Sequence, residues 1–251
     1  MMEMLGRFHL HLDQDDEAKD LVKKFHYSHR VPSNIQVIAT AHDEGGLFGD
    51  LGHAVAACFV SIPGSGHYSI NGKPVETLEL TRLVRREGID ISLTGLISYA
   101  MRWTWKLRKG DLVVSFADKQ QNHHGGIYQA ASWNYDGLRD PNPEGVLLDG
   151  KHFIPMRTII SHKQAKEKYK DREVTVKKDQ GKHCYWKSLS RSGDKKAKLL
   201  GLESNPYPRP DEPIVAPGAR VKVERHNPSK VCPRDDVHPA TECGYHRKPG
   251  T

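Results

Sequence analysis

The stretch LVVSFADKQQNHHGGIYQAASWNYDG, residues 112–137, constrains this chain more than any other. Leu112, Val113, Val114 and Phe116 form a short apolar run with β-branched character, the pattern of a buried strand. The run ends at Asp118 and gives way to a polar loop of Gln, Asn and His. Gly125–Gly126 then open a short helix carrying Ile127, Tyr128, Ala130, Ala131 and Trp133, with Gly137 as its expected stop. A strand, a polar loop and a glycine-led helix place polar groups at the strand's carboxyl end and aim helix N–H groups at whatever binds there. The stretch is therefore the expected floor of an active site.

The rest of the chain supplies a sheet around it. Residues 13–25 read as a helix, with acidic residues at its start and Lys23–Lys24 at its end, as the helix dipole prefers. Pro32 ends helical continuation. Residues 35–41, 53–62 and 75–85 read as strands, GGLFGD and Pro63–Gly66 as turns, and residues 93–108 as a helix capped by Gly110. Residues 145–148 and 152–160 read as two further strands. The order helix, strands, helix, strand, helix, strands predicts an α/β fold with a mixed central sheet flanked by helices, in the order of GNAT-like acyltransferases. Residues 1–160 are the expected catalytic core. Residues 161–204 form a basic segment, with a charged helix over 162–172, that completes or flanks it. Residues 205–251 read as a Pro-rich, basic, partly disordered tail.

Charge divides the chain in the same place. Residues 1–150 hold 15 Lys/Arg against 19 Asp/Glu, and residues 151–251 hold 23 against 12. A basic rear behind an acidic front suits a polyanion, or a solubilising tail. The first ten residues lack a basic start followed by an apolar run, and no apolar stretch is long enough to span a bilayer, so the expected location is the cytoplasm, with no membrane partner. The four cysteines, Cys58, Cys184, Cys232 and Cys243, are scattered and expected to be reduced.

Several residues carry candidate chemistry. His26, Tyr27, Ser28, His29 and Arg30 gather donors and titratable groups where a helix meets a loop; they suit proton transfer or C-capping. Arg82, among leucines in LELTRLVR, suits a carboxylate or phosphate, or an ion pair with Glu79, Glu76 or Asp118. Asp118 suits a proton acceptor or a turn former, and Tyr128 a cleft-facing hydroxyl or a paired core tyrosine. His123 and His124, with His26, His29 or His53, are candidate metal ligands without diagnostic spacing. In the tail, Cys232, His238, Cys243 and His246 are spaced too widely for a typical zinc site. No GxGxxG or Walker loop is present. The RREGIDISLTG segment, where an acyltransferase pyrophosphate loop would stand, lacks a glycine run.

Taken together, HYSHRVPS, LELTRLVR and SFADKQQNHHGGIYQAASWNYDG resemble the phage Mom family of DNA-modifying proteins, which are themselves similar to GNAT acyltransferases in fold. The resemblance covers residues 15–160 well and extends loosely to KHCYWKSL and NPYP. It implies a phage-encoded transferase that installs a carbamoylmethyl group on the N6 amine of adenine in double-stranded DNA, shielding that DNA from restriction. It implies catalytic roles for His26, Tyr27, Arg82, Asp118 and Tyr128. Ser28, Arg30, Thr94, His124, Gly125, Gly126 and Gln129 become candidate substrate or donor contacts, and His26, His123 and His124 the metal candidates. The donor is open between acetyl-CoA and a glycine-derived group carried on tRNA, with iron as a further candidate cofactor. The expected partners are double-stranded DNA, with tRNA and a second copy of the chain as further candidates. Two other readings compete: an acetyl-CoA-dependent N-acyltransferase acting on a protein or small-molecule amine, and a non-catalytic DNA-binding accessory protein.

Overall fold

The computed structural model describes residues 3–12, 16–44, 52–64, 68–70, 73–156 and 162–209. The GGLFGD turn, Gly66 and the tail from residue 210, with Cys232, His238, Cys243 and His246, lie outside the described residues. In chain order the elements are β1 (Glu3–Leu5), β2 (Phe8–Leu12), α1 (Asp16–Phe25), β3 (Ile35–His42), β4 (Ala54–Ser61), β5 (Tyr68–Ile70), β6 (Lys73–Val75), β7 (Leu78–Arg85) and α2 (Leu93–Lys106). There follow β8 (Leu112–Asp118), α3 (Gly126–Ala130), β9 (Asn134–Leu138), β10 (Pro143–Leu148), β11 (His152–Pro155), α4 (His162–Lys168), β12 (Val174–Lys178), β13 (Lys182–Ser188) and α5 (Arg191–Leu199).

The unbroken apolar run of β4 has a direct cause: it is buried from end to end because helices cover both of its faces. Ala57 and Phe59 pack with Ala18, Leu21 and Val22 of α1. The alternate residues Ala56, Cys58 and Val60 pack with Leu96, Ile97 and Ala100 of α2. The period of two along a strand thus assigns α1 and α2 to opposite sides of the sheet. Cys58 and Cys184 are free and buried. Among the described residues no helix is long and apolar enough to cross a membrane.

The main sheet has the order β1-β2-β3-β4-β7-β8-β13-β9. Its neighbours are antiparallel except β7 and β8, which run parallel and pair only through Leu78–Val113 and Glu79–Val114. A helix joining two parallel neighbours is what the pattern predicts, so the expected mixed α/β class is the observed one. Strand β13, from the basic second half, lies between β8 and β9. Strands β11, β10 and β12 form a separate three-stranded sheet, with Ala165 of α4 packed on Val146 and Leu148.

Five expected boundaries move: the charged helix expected over 162–172 ends at Lys168, and four others shift. The strand expected over 75–85 divides at Thr77, leaving β6 and β7. Residue Arg108, not Gly110, takes the left-handed conformation after α2 (φ 52). Gly110 is instead a contact glycine, since a Cβ there would meet Leu78 at 2.7 Å. The helix expected from Gly125 to Gly137 ends at Ala130, because Ser132 turns left-handed (φ 57) and the Trp133 N–H returns to Tyr128 O at 2.9 Å. Trp133 is buried in the core beyond the helix, and Gly137 sits inside β9. The strand expected over 152–160 ends at Pro155; residues 157–160 lie outside the described residues.

Candidate active site

The cleft exists because β7 and β8 stop pairing. After Glu79 the Leu80 carbonyl has no backbone partner on β8, and the Ser115 hydroxyl takes it at 2.8 Å. Ser115 Oγ also lies 2.8 Å from the Tyr128 hydroxyl. One hydroxyl hydrogen cannot serve both, and a carbonyl only accepts, so Tyr128 donates to Ser115 and Ser115 to Leu80. At the same level β7 carries a bulge. Leu80 pairs with Val60 and Arg82 with Phe59, leaving Thr81 as the extra residue. A bulge shifts the alternation of side chains by one. Glu79 and Arg82, three apart and on opposite faces of a regular strand, thereby both line one cleft of about 650 Å³.

Three separated stretches meet there. His26 and Tyr27 come from the end of α1, Glu79 to Arg85 from β7, and Phe116, Ala117 and Asn122 to Tyr128 from β8 and its loop, with Lys182 from β13. His26 is 9% exposed. Its Nδ1 accepts the Ser28 backbone N–H at 3.1 Å and sits 2.9 Å from Ser28 Oγ. A nitrogen that accepts from a backbone N–H carries no proton, so the hydrogen of the neutral ring is on Nε2. Burial first, then the positive charge of Arg82, lowers its pKa to about 4, and His26 is neutral at pH 7. At neutral pH it is a hydrogen-bond donor through Nε2, with its one lone pair turned to the Ser28 N–H. Tyr27 stacks on His26 (centroids 4.4 Å apart, 29° between planes) and meets His123 edge-on at 5.9 Å. It remains 47% exposed, a flat aromatic surface at the mouth.

Arg82 spends part of its guanidinium on backbone carbonyls. Its Nε donates to Arg30 O at 3.0 Å and its Nη1 to Thr81 O at 2.6 Å. Among the described residues it forms no ion pair with Glu79, Glu76 or Asp118. It ties Arg30, at the end of the His26–Arg30 turn, to β7. Arg82→Lys loses the fork that spans the two carbonyls. We expect its urea midpoint to fall by the equivalent of about 1 kcal/mol; an unchanged midpoint would show that the two bonds contribute nothing.

Asp118 closes β8 but does not line the cleft. Its carboxylate accepts the Gln120 N–H at 3.0 Å and its carbonyl the His123 N–H at 3.1 Å, so it shapes the loop that presents His123 and His124. Gly125 (φ +81) returns the chain from that loop and lies flat against the Tyr185 ring. Tyr185 donates to His124 O, and Gln129 Nε2 donates to the Tyr185 hydroxyl at 3.1 Å. The expected helix N-terminus at Gly126 is one turn long, and its Tyr128 and Gln129 N–H groups return to Gly125 O. Tyr128 is buried, which holds its hydroxyl well above the ordinary phenol range. Ser28, Arg30 and Gln129 support the walls. Thr94 is not among the lining residues; its hydroxyl lies 2.9 Å from Ser92 Oγ at the start of α2.

The sequence reading missed Lys182 as a wall residue and named Glu79 only as an ion-pair partner. Glu79 sits on the floor, its pKa raised by burial against the opposing pull of Arg82 and Lys182. Among the described residues no group of three His, Cys, Asp or Glu side chains is arranged to hold a metal. At the start of α2, Ser92 Oγ takes the Gly95 N–H and Leu5 closes off Gly95, while Arg7 and Asp90 place one charge of each sign beside the helix start.

The model of the Mom protein family matches residues 7–209 of the chain. No curated protein matches it in sequence. Among solved structures, an acetyltransferase from Bacillus subtilis in complex with CoA is similar at 12% identity, over 73% of this chain and 99% of that one, with a TM-score of 0.41. A putative acetyltransferase from Salmonella typhimurium with its cofactor acetyl-CoA is similar at 9% identity over 74% and 96%, also at 0.41. Spermidine N-acetyltransferase from Vibrio cholerae in complex with CoA and spermine is similar at 8% identity over 74% and 97%, at 0.36.

Proposed function

The chain belongs to the Mom protein family, and on that premise we propose that it is a DNA-modifying transferase that alkylates the N6 amine of adenine, giving N6-(carbamoylmethyl)adenine. The observation that carries this reading is the convergence of His26–Tyr27, Arg82 and the Asn122–Tyr128 loop on one cleft. These residues belong to the three motif blocks by which the chain resembles that family.

The cleft suits a planar heterocycle. An adenine inside a duplex is out of reach, so the base must be flipped out. The exposed Tyr27 ring offers a stacking surface for it at the mouth. The Nε2–H of His26 then offers a donor to a ring nitrogen or to a carbonyl of the transferred group. Ser28 holds that histidine, and Arg82 ties the turn after it to β7. Asp118 and Gly125 hold the loop opposite. The N6 amine is a weak nucleophile because its lone pair is delocalised, so positioning against the donor carbon supplies much of the rate. The basic residues of the second half would hold the phosphates on either side of the flipped base. An acetyl-CoA-dependent acyl transfer has less support, because a plain acyl transfer gives an amide and not an N-alkyl product.

Mass spectrometry of nucleosides from the DNA of cells expressing the chain tests the proposal. We expect a deoxyadenosine bearing an added carbamoylmethyl group, absent from cells without the gene. Unmodified DNA in cells holding the folded protein would count against it.

A further inference from the structure

The reaction requires a group that takes a proton from the amine, and the side chains around the cleft differ in how they are placed for it. The Nδ1 lone pair of His26 accepts the Ser28 N–H. The Tyr128 hydroxyl is bonded to Ser115. The Asp118 carboxylate accepts the Gln120 N–H with one oxygen and is not among the lining residues, although its charge reaches Tyr27. Glu79 differs from all three. It lines the floor at the point where β7 and β8 part. Its backbone is held by the last parallel pair, Glu79–Val114, and the bulge at Thr81 follows immediately. Among the described residues its carboxylate takes part in no side-chain hydrogen bond or ion pair.

We propose that Glu79 is the proton acceptor for the adenine N6 amine, an assignment that rests on the reading of the chain as an adenine-modifying transferase. The nitrogen lone pair forms the new N–C bond to a donor carbon that carries a leaving group. The bond to that group breaks and its electron pair leaves with it. The N–H proton passes to the carboxylate of Glu79, which returns it to the leaving group or to water. The groups within electrostatic reach of Glu79 are Arg82 on its own strand, Lys182 and Cys184 from β13, Tyr27 after α1, Tyr128 from α3 and Tyr68 from β5. Arg82 and Lys182 favour the carboxylate; burial disfavours it and makes it the stronger base once formed.

The test measures modified adenine in cellular DNA for the full-length wild type, Glu79→Gln, Glu79→Asp and Asp118→Asn. Each protein's fold is checked by thermal melting. The rate is also followed against pH on an adenine-containing duplex, with whole extract of the gene-free host supplying the donor. Glu79→Gln keeps shape and removes the base, so we expect modification to fall about 100-fold or more. We also expect loss of the rising acid limb of the wild-type pH profile. Glu79→Asp should keep that limb at a reduced rate; if Glu79→Gln does not fold, a folded Glu79→Asp at the wild-type rate overturns the assignment. So does a folded Glu79→Gln that modifies DNA at the wild-type level, or an acid limb that survives in Glu79→Gln and vanishes in Asp118→Asn. Absence of modification by the wild type itself overturns the functional reading and this assignment with it.

Discussion

Gly125→Ala destroys the site and costs the protein about 3 kcal/mol or more of stability. Two effects add at this position. The backbone is left-handed, φ +81, which an L side chain adopts at a cost of about 1–2 kcal/mol. A Cβ built there would also stand 2.2 Å from a ring carbon of Tyr185 and 2.7 Å from its hydroxyl. That ring cannot retreat: it packs against Tyr128 and Tyr135 at 5.1 Å, and its hydroxyl is bonded to His124 O and Gln129. Overpacking a rigid site costs a further ~1–3 kcal/mol. Gly150→Ala separates the two effects, because Gly150 is also left-handed (φ +68) but a Cβ there meets nothing within 4 Å. Urea denaturation of both variants should show Gly150→Ala losing about 1 kcal/mol and Gly125→Ala at least twice that, with loss of DNA modification in Gly125→Ala alone. Equal losses would show that the Tyr185 contact is soft and that Gly125 is needed only for its backbone angle.

The same pair of glycines shows what was legible in the sequence. Gly125–Gly126 after a polar loop marks a chain reversal, and local turn chemistry is enough to see it. The face that Gly125 presents is another matter, because Tyr185 reaches it from β13, sixty residues on. Strands β3 and β4, as apolar runs, and helices α1 and α2, with an apolar face, were legible for the same local reason. Strands β12 and β13 were not: VTVKK and KHCYWKS are short and interrupted by lysines, and their pairing depends on partners far away in sequence. Glu79 is the clearest case. Its place in the cleft depends on one extra residue in β7 and on the loss of pairing with β8, and neither leaves a mark on LELTRLVR. His26, Tyr27 and Tyr128 were found through a family resemblance, which their local sequence alone would not have distinguished from capping and core packing.

His26 makes the fold sensitive to acid in a window the folded structure defines. In the unfolded chain a histidine takes up its proton near pH 6.5. In the folded chain burial, Arg82, His123 and His29 hold it off until about pH 4. The unfolded state therefore binds more protons between these two values, and stability falls as pH drops through the interval. The contribution is fully present above about pH 6.5 and gone below about pH 4, where both states are protonated. Between pH 7 and pH 5 the loss from this residue is about 2 kcal/mol, from the separation of the two values. Carboxylates elsewhere titrate in the lower part of this range, so the informative quantity is a difference between proteins. His26→Asn keeps an acceptor oxygen where Nδ1 meets the Ser28 N–H and removes the titrating group. Urea unfolding of both proteins at pH 7 and pH 5 should show the wild type losing about 2 kcal/mol more than His26→Asn. The variant should also lose DNA modification at pH 7, because it lacks the Nε2 donor. Equal losses on acidification would mean that the folded ring takes up a proton as readily as a free one, and a charged His26 in the cleft would then have to be reconciled with the neighbouring Arg82.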